Sequence, residues 1–272
     1  MLKATAERSP RTWHSALTAT ARARAARGRS RRIALLAILA GTGLTSTGAQ
    51  PTNDLDAFET CEAIRAGFRA FRHDAFPEGK WTCEAGVLRS VKGQRVDLIT
   101  RGEYQDFELE LEWKVSFGAN SGIMYGVTEA ATETYWSGPE MQINDDPHHP
   151  DGLQPKTSAG GLYDLIGPSD RGAFKPTGDY NHIRIVSRSG HVEHWLNGIR
   201  VVAYEWDSPE LRALIQQTKF AQAPLFMKQR RGHIALQSEG DEVWFRHIRI
   251  RRLSPDASDK RTSAADAGPA AK

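Results

Sequence analysis

Residues 106–115 alternate without a break: Phe107, Leu109, Leu111, Trp113 and Val115 are apolar, while Glu108, Glu110, Glu112 and Lys114 between them are charged. Side chains of a strand point to opposite faces in turn, so this period predicts a β-strand with one face in a core and the other in water. Weaker versions of the pattern predict strands at 86–91, 95–100, 121–127, 182–187, 192–196, 199–204, 232–237 and 243–250. Turn signals separate them, notably Asn197-Gly198, where both residues tolerate the positive φ of a tight hairpin. Helical character is confined to 208–218, with Ser208 as cap, Pro209 in the first turn and good helix formers after it. Many short strands with one short peripheral helix predict an all-β fold, a jelly-roll or related sandwich of two antiparallel sheets.

Composition changes the picture at both ends. Residues 1–49 carry nine Lys and Arg against the single acid Glu7, followed closely by the apolar run 33–40. That run is too short to span a bilayer, which takes roughly 20 apolar residues. Ser30-Arg31-Arg32-Ile33-Ala34-Leu35 resembles a twin-arginine export signal, and Thr47-Gly48-Ala49 offers small residues for cleavage. Residues 1–49 therefore read as a signal peptide, and a periplasmic or secreted location follows. Residues 50–66 read as an N-terminal extension, 67–253 as the folded domain, and 254–272, rich in Ala, Asp, Ser and Pro, as a disordered tail. The whole chain has a formal charge of +3, and removing the leader's +8 leaves about −5. A mildly acidic domain is a poor partner for nucleic acid, whose binding rests on Lys and Arg at phosphates. The remaining basic run, 246–252, alternates with apolar residues and reads as an edge or solvated strand. Cys61 and Cys83 are the only cysteines, and export would let them pair. No membrane span is expected in the mature chain.

Candidate chemistry gathers in Gly138–His149. As a strand, 140–144 would put Glu140, Gln142 and Asn144 on one face and Met141 and Ile143 on the other. Such a polar row suits a sugar, whose hydroxyls need donors and acceptors. Asp145, Asp146 and His148 would follow at the rim, as acid and base groups or as ligands of a divalent cation such as calcium, magnesium or manganese. A plain Asp-Asp-Pro turn is the alternative. Asn120-Ser121-Gly122, Gly160-Gly161-Leu162-Tyr163 and Trp136 are further candidates for lining the same cleft. The chain lacks a Gly-x-Ser-x-Gly elbow, a His-Glu-x-x-His pair, a phosphate loop and a dinucleotide fingerprint. These absences weigh against a serine hydrolase, a zincin and any nucleotide cofactor.

Several segments in order resemble the 3-keto-disaccharide hydrolase domain family. They are Trp81 with 86–88, 104–109 with 112–114, 120–123, 137–146, 161–163, 195–198, Ile234–Gln237 and Val243–Arg246. The resemblance implies a concanavalin-like jelly roll and cleavage of glycosides already oxidised at carbon 3, by hydrolysis or by elimination and hydration. With the residue types and the strand face read above, the candidate catalytic groups are Glu140, Asp146, His148 and Tyr163, and the candidate substrate ligands are Asn120, Gln142, Asn144, Trp136 and Gln237. Two segments depart from the family pattern: 70–74 at its opening, and Ser238-Glu239, where an aspartate and a histidine are usual. A non-catalytic carbohydrate-binding module is the competing expectation, since the same face suffices for binding alone.

Overall fold

The computed structural model describes residues 55–254. The leader expected at 1–49 and the tail from 255 on lie outside the described residues. Two antiparallel sheets pack face to face as a jelly-roll sandwich. The first contains β3 (Trp81–Glu84), β4 (Val87–Ser90), β6 (Phe107–Val115), β9 (Asn181–Arg188), β10 (His191–Leu196), β11 (Ile199–Glu205) and β13 (Val243–Arg252). Its order is β11-β10-β9-β6-β13-β4-β3, and β1 (Leu55–Phe58) joins it along β13. The second sheet has the order β2-β5-β12-β7-β8, from β2 (Phe68–Ala70), β5 (Leu98–Thr100), β12 (His233–Leu236), β7 (Asn120–Val127) and β8 (Glu140–Asn144).

Burial follows the sequence period. The apolar set of β6, from Phe107 to Val115, is buried, and its charged set forms the outer face. Asn197 and Gly198 both adopt positive φ between β10 and β11, as their hairpin turn requires. β13 lies inside its sheet rather than at an edge, with β6 on one side and β4 and β1 on the other. A bulge at His247, where φ is +53°, lets Phe245 and Ile248 both point inward although they are three residues apart. The arginines of β13 face solvent, where Arg246 and Arg249 pair with Glu112 and Glu59.

Among the described residues two α-helices, not one, accompany the sheets. α2 (Pro209–Ile215) is the expected helix, with Ser208 Oγ accepting from Leu211 N–H. α1 (Cys61–Gly67) falls almost wholly in the expected N-terminal extension, where no helix was anticipated. Thr60 caps it, it buries Ile64, and Cys61 is disulfide-bonded to Cys83 on β3. No helix of the described residues is long and apolar enough to cross a membrane.

Candidate active site

The site lies on the face of the second sheet turned away from the core. β8 sends Met141 and Ile143 into the core, as their period predicts, and Glu140, Gln142 and Asn144 to the other face. β8 is an edge strand, and the segment after it returns to cover that edge. Gly160 N–H donates to Gln142 O, Gln142 N–H to Gly161 O, and Tyr163 N–H to Glu140 O. Gly160 makes the turn with φ +85°, a conformation costly for a residue with a Cβ. This return brings Tyr163 beside Glu140.

A cavity of about 240 Å³ opens there, lined by Asn120, Tyr135, Trp136, Glu140, Tyr163, Lys219, Gln237 and Glu239. Glu140 is 7% exposed, and its carboxyl has no hydrogen-bond partner among the described residues. Its carboxyl fits only because β7 has a glycine opposite, since a Cβ on Gly122 would stand 1.9 Å from Oε1. Burial holds the Glu140 pKa well above the usual carboxylate range, the Lys219 ammonium pulls it part of the way back, and Glu239, Asp97 and Asp151 push it further up. Burial raises the Tyr163 phenol too, with Asp151 and Glu140 adding to the shift, so its proton is firmly held. Lys219 is exposed at the mouth, with Nζ 4.9 Å from the Tyr163 ring centre and 5.4 Å from that of Tyr135. Gln237 Nε2 donates to Glu239 Oε1 at 2.8 Å, and Arg95 holds Glu239 Oε2 from outside at 2.8 Å. Asn120 Nδ2 lies 3.4 Å from Asp151 Oδ2.

Five of the residues singled out in the sequence thus converge: Glu140, Tyr163, Asn120, Trp136 and Gln237. Others do not. Gln142 and Asn144, expected as sugar ligands, are fully buried, because the loop after β8 folds back over them and Thr157 O accepts from both amides, at 3.3 and 3.1 Å. Asp145, Asp146 and His148, expected as metal ligands and in part as catalytic groups, close that loop instead. Asp145 Oδ1 accepts from Thr177 at 2.5 Å, and Oδ2 accepts from Gly118 N–H and His148 Nδ1–H at 2.8 and 2.9 Å. These bonds outweigh the burial of Asp145 and leave its pKa lowered. Asp146 Oδ1 accepts from Ala159 N–H, and the His148 ring rests 4.2 Å from that of Phe117. Among the described residues no group of three or more His, Cys, Asp or Glu is placed to hold a metal ion.

Lys219, Tyr135 and Glu239 were not anticipated as site residues. Tyr135 adjoins Trp136 in sequence, and Glu239 was visible only as a departure from the family pattern. Lys219 lies between β11 and β12 in a stretch whose periodicity gives no sign of the cavity.

The cleft thus gathers a desolvated carboxyl, tyrosines, amides and an ammonium on a sandwich, and the following likenesses make the chain a carbohydrate-active enzyme of glycosidase type. The chain belongs to the 3-keto-alpha-glucoside-1,2-lyase-like family, whose profile matches residues 64–251. It is 34% identical over 218 aligned positions to a 3-keto-disaccharide hydrolase of Bacteroides thetaiotaomicron, covering 69% of this chain and 74% of that one. Two crystal structures of candidate glycosyl hydrolases from Parabacteroides distasonis share the fold. One superposes with a TM-score of 0.65 at 26% identity, covering 70% of this chain and 89% of that one. The other gives 0.56 at 28% identity, covering 74% and 100%.

Proposed function

We propose that this protein cleaves glycosides whose sugar carries a ketone at carbon 3, by removing the proton on carbon 2 and expelling the group on carbon 1. The observation that carries this reading is Glu140, a single unpartnered carboxyl in a desolvated cavity with an ammonium and a phenol beside it. A ketone at carbon 3 acidifies the carbon 2 proton, so one good base suffices where an ordinary glycoside offers it nothing to remove. Ionised Glu140 takes that proton, and the electron pair moves onto the carbon 3 oxygen as an enolate. Lys219 is the one cation lining the cavity and stabilises that negative charge. The enolate then returns its electrons, a double bond forms between carbons 1 and 2, and the bond from carbon 1 to the leaving oxygen breaks. Tyr163 gives that oxygen its proton. Addition of water across the new double bond completes a hydrolysis, and release before that step makes the enzyme a lyase.

Glu239 supports a second reading, conventional hydrolysis by two carboxylates, because it brings a second acid into the cavity. Both its oxygens are already engaged by Gln237 and Arg95, which favours the first reading. Export before action is part of the proposal: the basic leader and apolar run argue for it, and the Cys61–Cys83 disulfide supports it, being a bond that an oxidising compartment preserves. Incubating the mature protein with a 3-keto-glucoside and with its unoxidised parent tests the chemistry. Cleavage of the oxidised sugar alone is expected. Cleavage of the parent would favour paired carboxylates, and cleavage of neither would leave a binding module.

A further inference from the structure

We infer that His194, buried between the two sheets and outside the Glu140 cavity, is a positioning residue: it fixes the turn at Gly160 and, through it, the Tyr163 phenol that protonates the leaving oxygen. This role rests on the cleavage reaction proposed above. His194 is 0% exposed, and its imidazole has a partner at each nitrogen, Gly160 O at 3.1 Å from Nδ1 and Tyr125 Oη at 2.7 Å from Nε2. A carbonyl oxygen only accepts, so Nδ1 carries the proton, and Nε2 of the neutral ring accepts from Tyr125 O–H. Burial keeps the ring neutral by depressing its pKa to about 4. Tyr125 Oη has then spent its one proton, and it accepts in turn from Tyr204 O–H at 2.7 Å. The chain of bonds therefore has one direction, from Tyr204 on β11 to Tyr125 on β7, to His194 on β10, to the segment that follows β8.

Its last bond holds the turn that aims Tyr163. Three of the four backbone polar groups of Gly160 and Gly161 are paired close to β8: Gly160 N–H donates to Gln142 O, Gly161 N–H to Ser158 O, and Gly161 O accepts from Gln142 N–H. The fourth, Gly160 O, is the one that His194 ties to the opposite sheet. Gly160 has φ +85°, and a Cβ there would stand 3.2 Å from Leu196 and from Val201, so the turn is pressed against β10 and β11. Tyr163 follows three residues later, with its N–H on Glu140 O at 3.0 Å. Its hydroxyl has no hydrogen-bond partner among the described residues, so the backbone that carries the ring decides where the phenol stands.

An apolar residue could fill the space of His194, but it would strand Gly160 O and the Tyr125 hydroxyl in the core. A fully paired polar chain supplies what apolar packing lacks, a single fixed arrangement of the groups it joins. Here those groups lead on one side to Tyr163 and on the other to β7, the strand that pairs with β8 opposite Glu140. Precision matters at this place, because a misplacement of about 1 Å at a reacting group can cost about a hundredfold in rate.

His194→Leu tests this role on two substrates that share the reacting sugar. Methyl 3-keto-glucoside expels an alkoxide, which needs the Tyr163 proton, whereas 4-nitrophenyl 3-keto-glucoside expels a phenolate that leaves without one. The ratio of kcat on the first to kcat on the second, taken on one preparation, is independent of how much of the protein is folded. His194→Leu should lower that ratio about tenfold, part of the roughly 10²–10⁴-fold that a placed general acid supplies, and leave both KM values within about twofold. Tyr125→Phe keeps the ring and removes only the hydroxyl that orients the imidazole; it should lower the ratio about threefold, and it stands in if the leucine variant does not fold. In a Tyr163→Phe background neither substitution should lower the ratio further. A ratio unmoved by His194→Leu, or by Tyr125→Phe in its stead, would overturn the inference, as would an equal fall with Tyr163 already removed. Tyr163→Phe by itself must lower the ratio. If it does not, Tyr163 is not the acid, and the role proposed for it falls together with that of His194.

Discussion

Glu140 is held where ionisation is most costly: buried, without a donor, and surrounded by other acids at a distance. The raised pKa makes it a strong base once ionised, and it makes activity depend on pH in a stated direction. Turnover of a 3-keto-glucoside should rise with pH along a limb lying above the usual carboxylate range, read from kcat/KM against pH. Since Lys219 lowers the Glu140 pKa, Lys219→Met should move that limb to still higher pH. An unmoved limb would remove Lys219 from the site. Glu140→Gln should abolish turnover and raise thermal stability at neutral and higher pH. The sign follows from linkage. A carboxyl whose folded pKa is raised costs stability above its unfolded pKa, and the cost vanishes as pH falls below that value. The stability difference between variant and wild type, measured by urea unfolding, should therefore shrink toward low pH.

At the scale of elements, the loop after β8 decides which polar residues meet substrate. Gln142 Nε2 donates to Thr157 O and its Oε1 accepts from Ile143 N–H, so the side chain ties the loop to the strand. Gln142→Ala should cost about 1–3 kcal/mol of stability, the penalty for stranding buried polar partners. Its KM for a 3-keto-glucoside should stay unchanged, whereas a raised KM at unchanged stability would mark it as a ligand after all. This loop also shows how far the sequence could be read. The strict alternation of Phe107 to Val115, the Asn197-Gly198 turn and the Ser208 cap are local signals, and local physics realised them. Glu140, Tyr163, Asn120 and Gln237 were legible because they fall in recognisable segments, and Trp136 because it stands just before one. Asp145, Asp146 and His148 looked like site groups by type alone. Their role in the loop depends on Gly118 and Thr177, remote in sequence, and no spacing rule could announce those partners. Lys219 arrives on a turn beyond α2 for the same reason. Strand β1 and helix α1 were missed because each is short, and their order comes from pairing with β13 and from the disulfide to β3.

The sandwich as a whole holds buried titratable groups of opposite effect. His194 is fully buried, donating from Nδ1–H to Gly160 O at 3.1 Å and accepting at Nε2 from Tyr125 O–H at 2.7 Å. Burial depresses its pKa to about 4, outweighing its hydrogen bonds to the backbone of Gly160 and Gly161, which raise it. Burial lifts Asp97 to about 6, against the lowering effect of its bonds from Thr134 and Ser238. Between pH 6.5 and 4 the unfolded chain binds a proton that folded His194 refuses, so stability falls as pH falls. Between about pH 6 and 3.8 Asp97 acts in the opposite sense, as Glu140 does. A chain carrying Asp97→Asn and Glu140→Gln keeps only the histidine effect of these three, which should take away about 3 kcal/mol between pH 6.5 and 4 in urea unfolding. A flat profile would show that His194 is not sequestered as described. In the proposed reaction the carbon 2 proton leaves before the carbon 1 bond breaks. Cleavage of a 3-keto-glucoside in D2O, with the product examined by NMR against an enzyme-free control, tests this most directly. The account predicts a free 3-keto sugar with deuterium on carbon 2, or an unsaturated sugar with no hydrogen there. A product that keeps its original carbon 2 proton would contradict it.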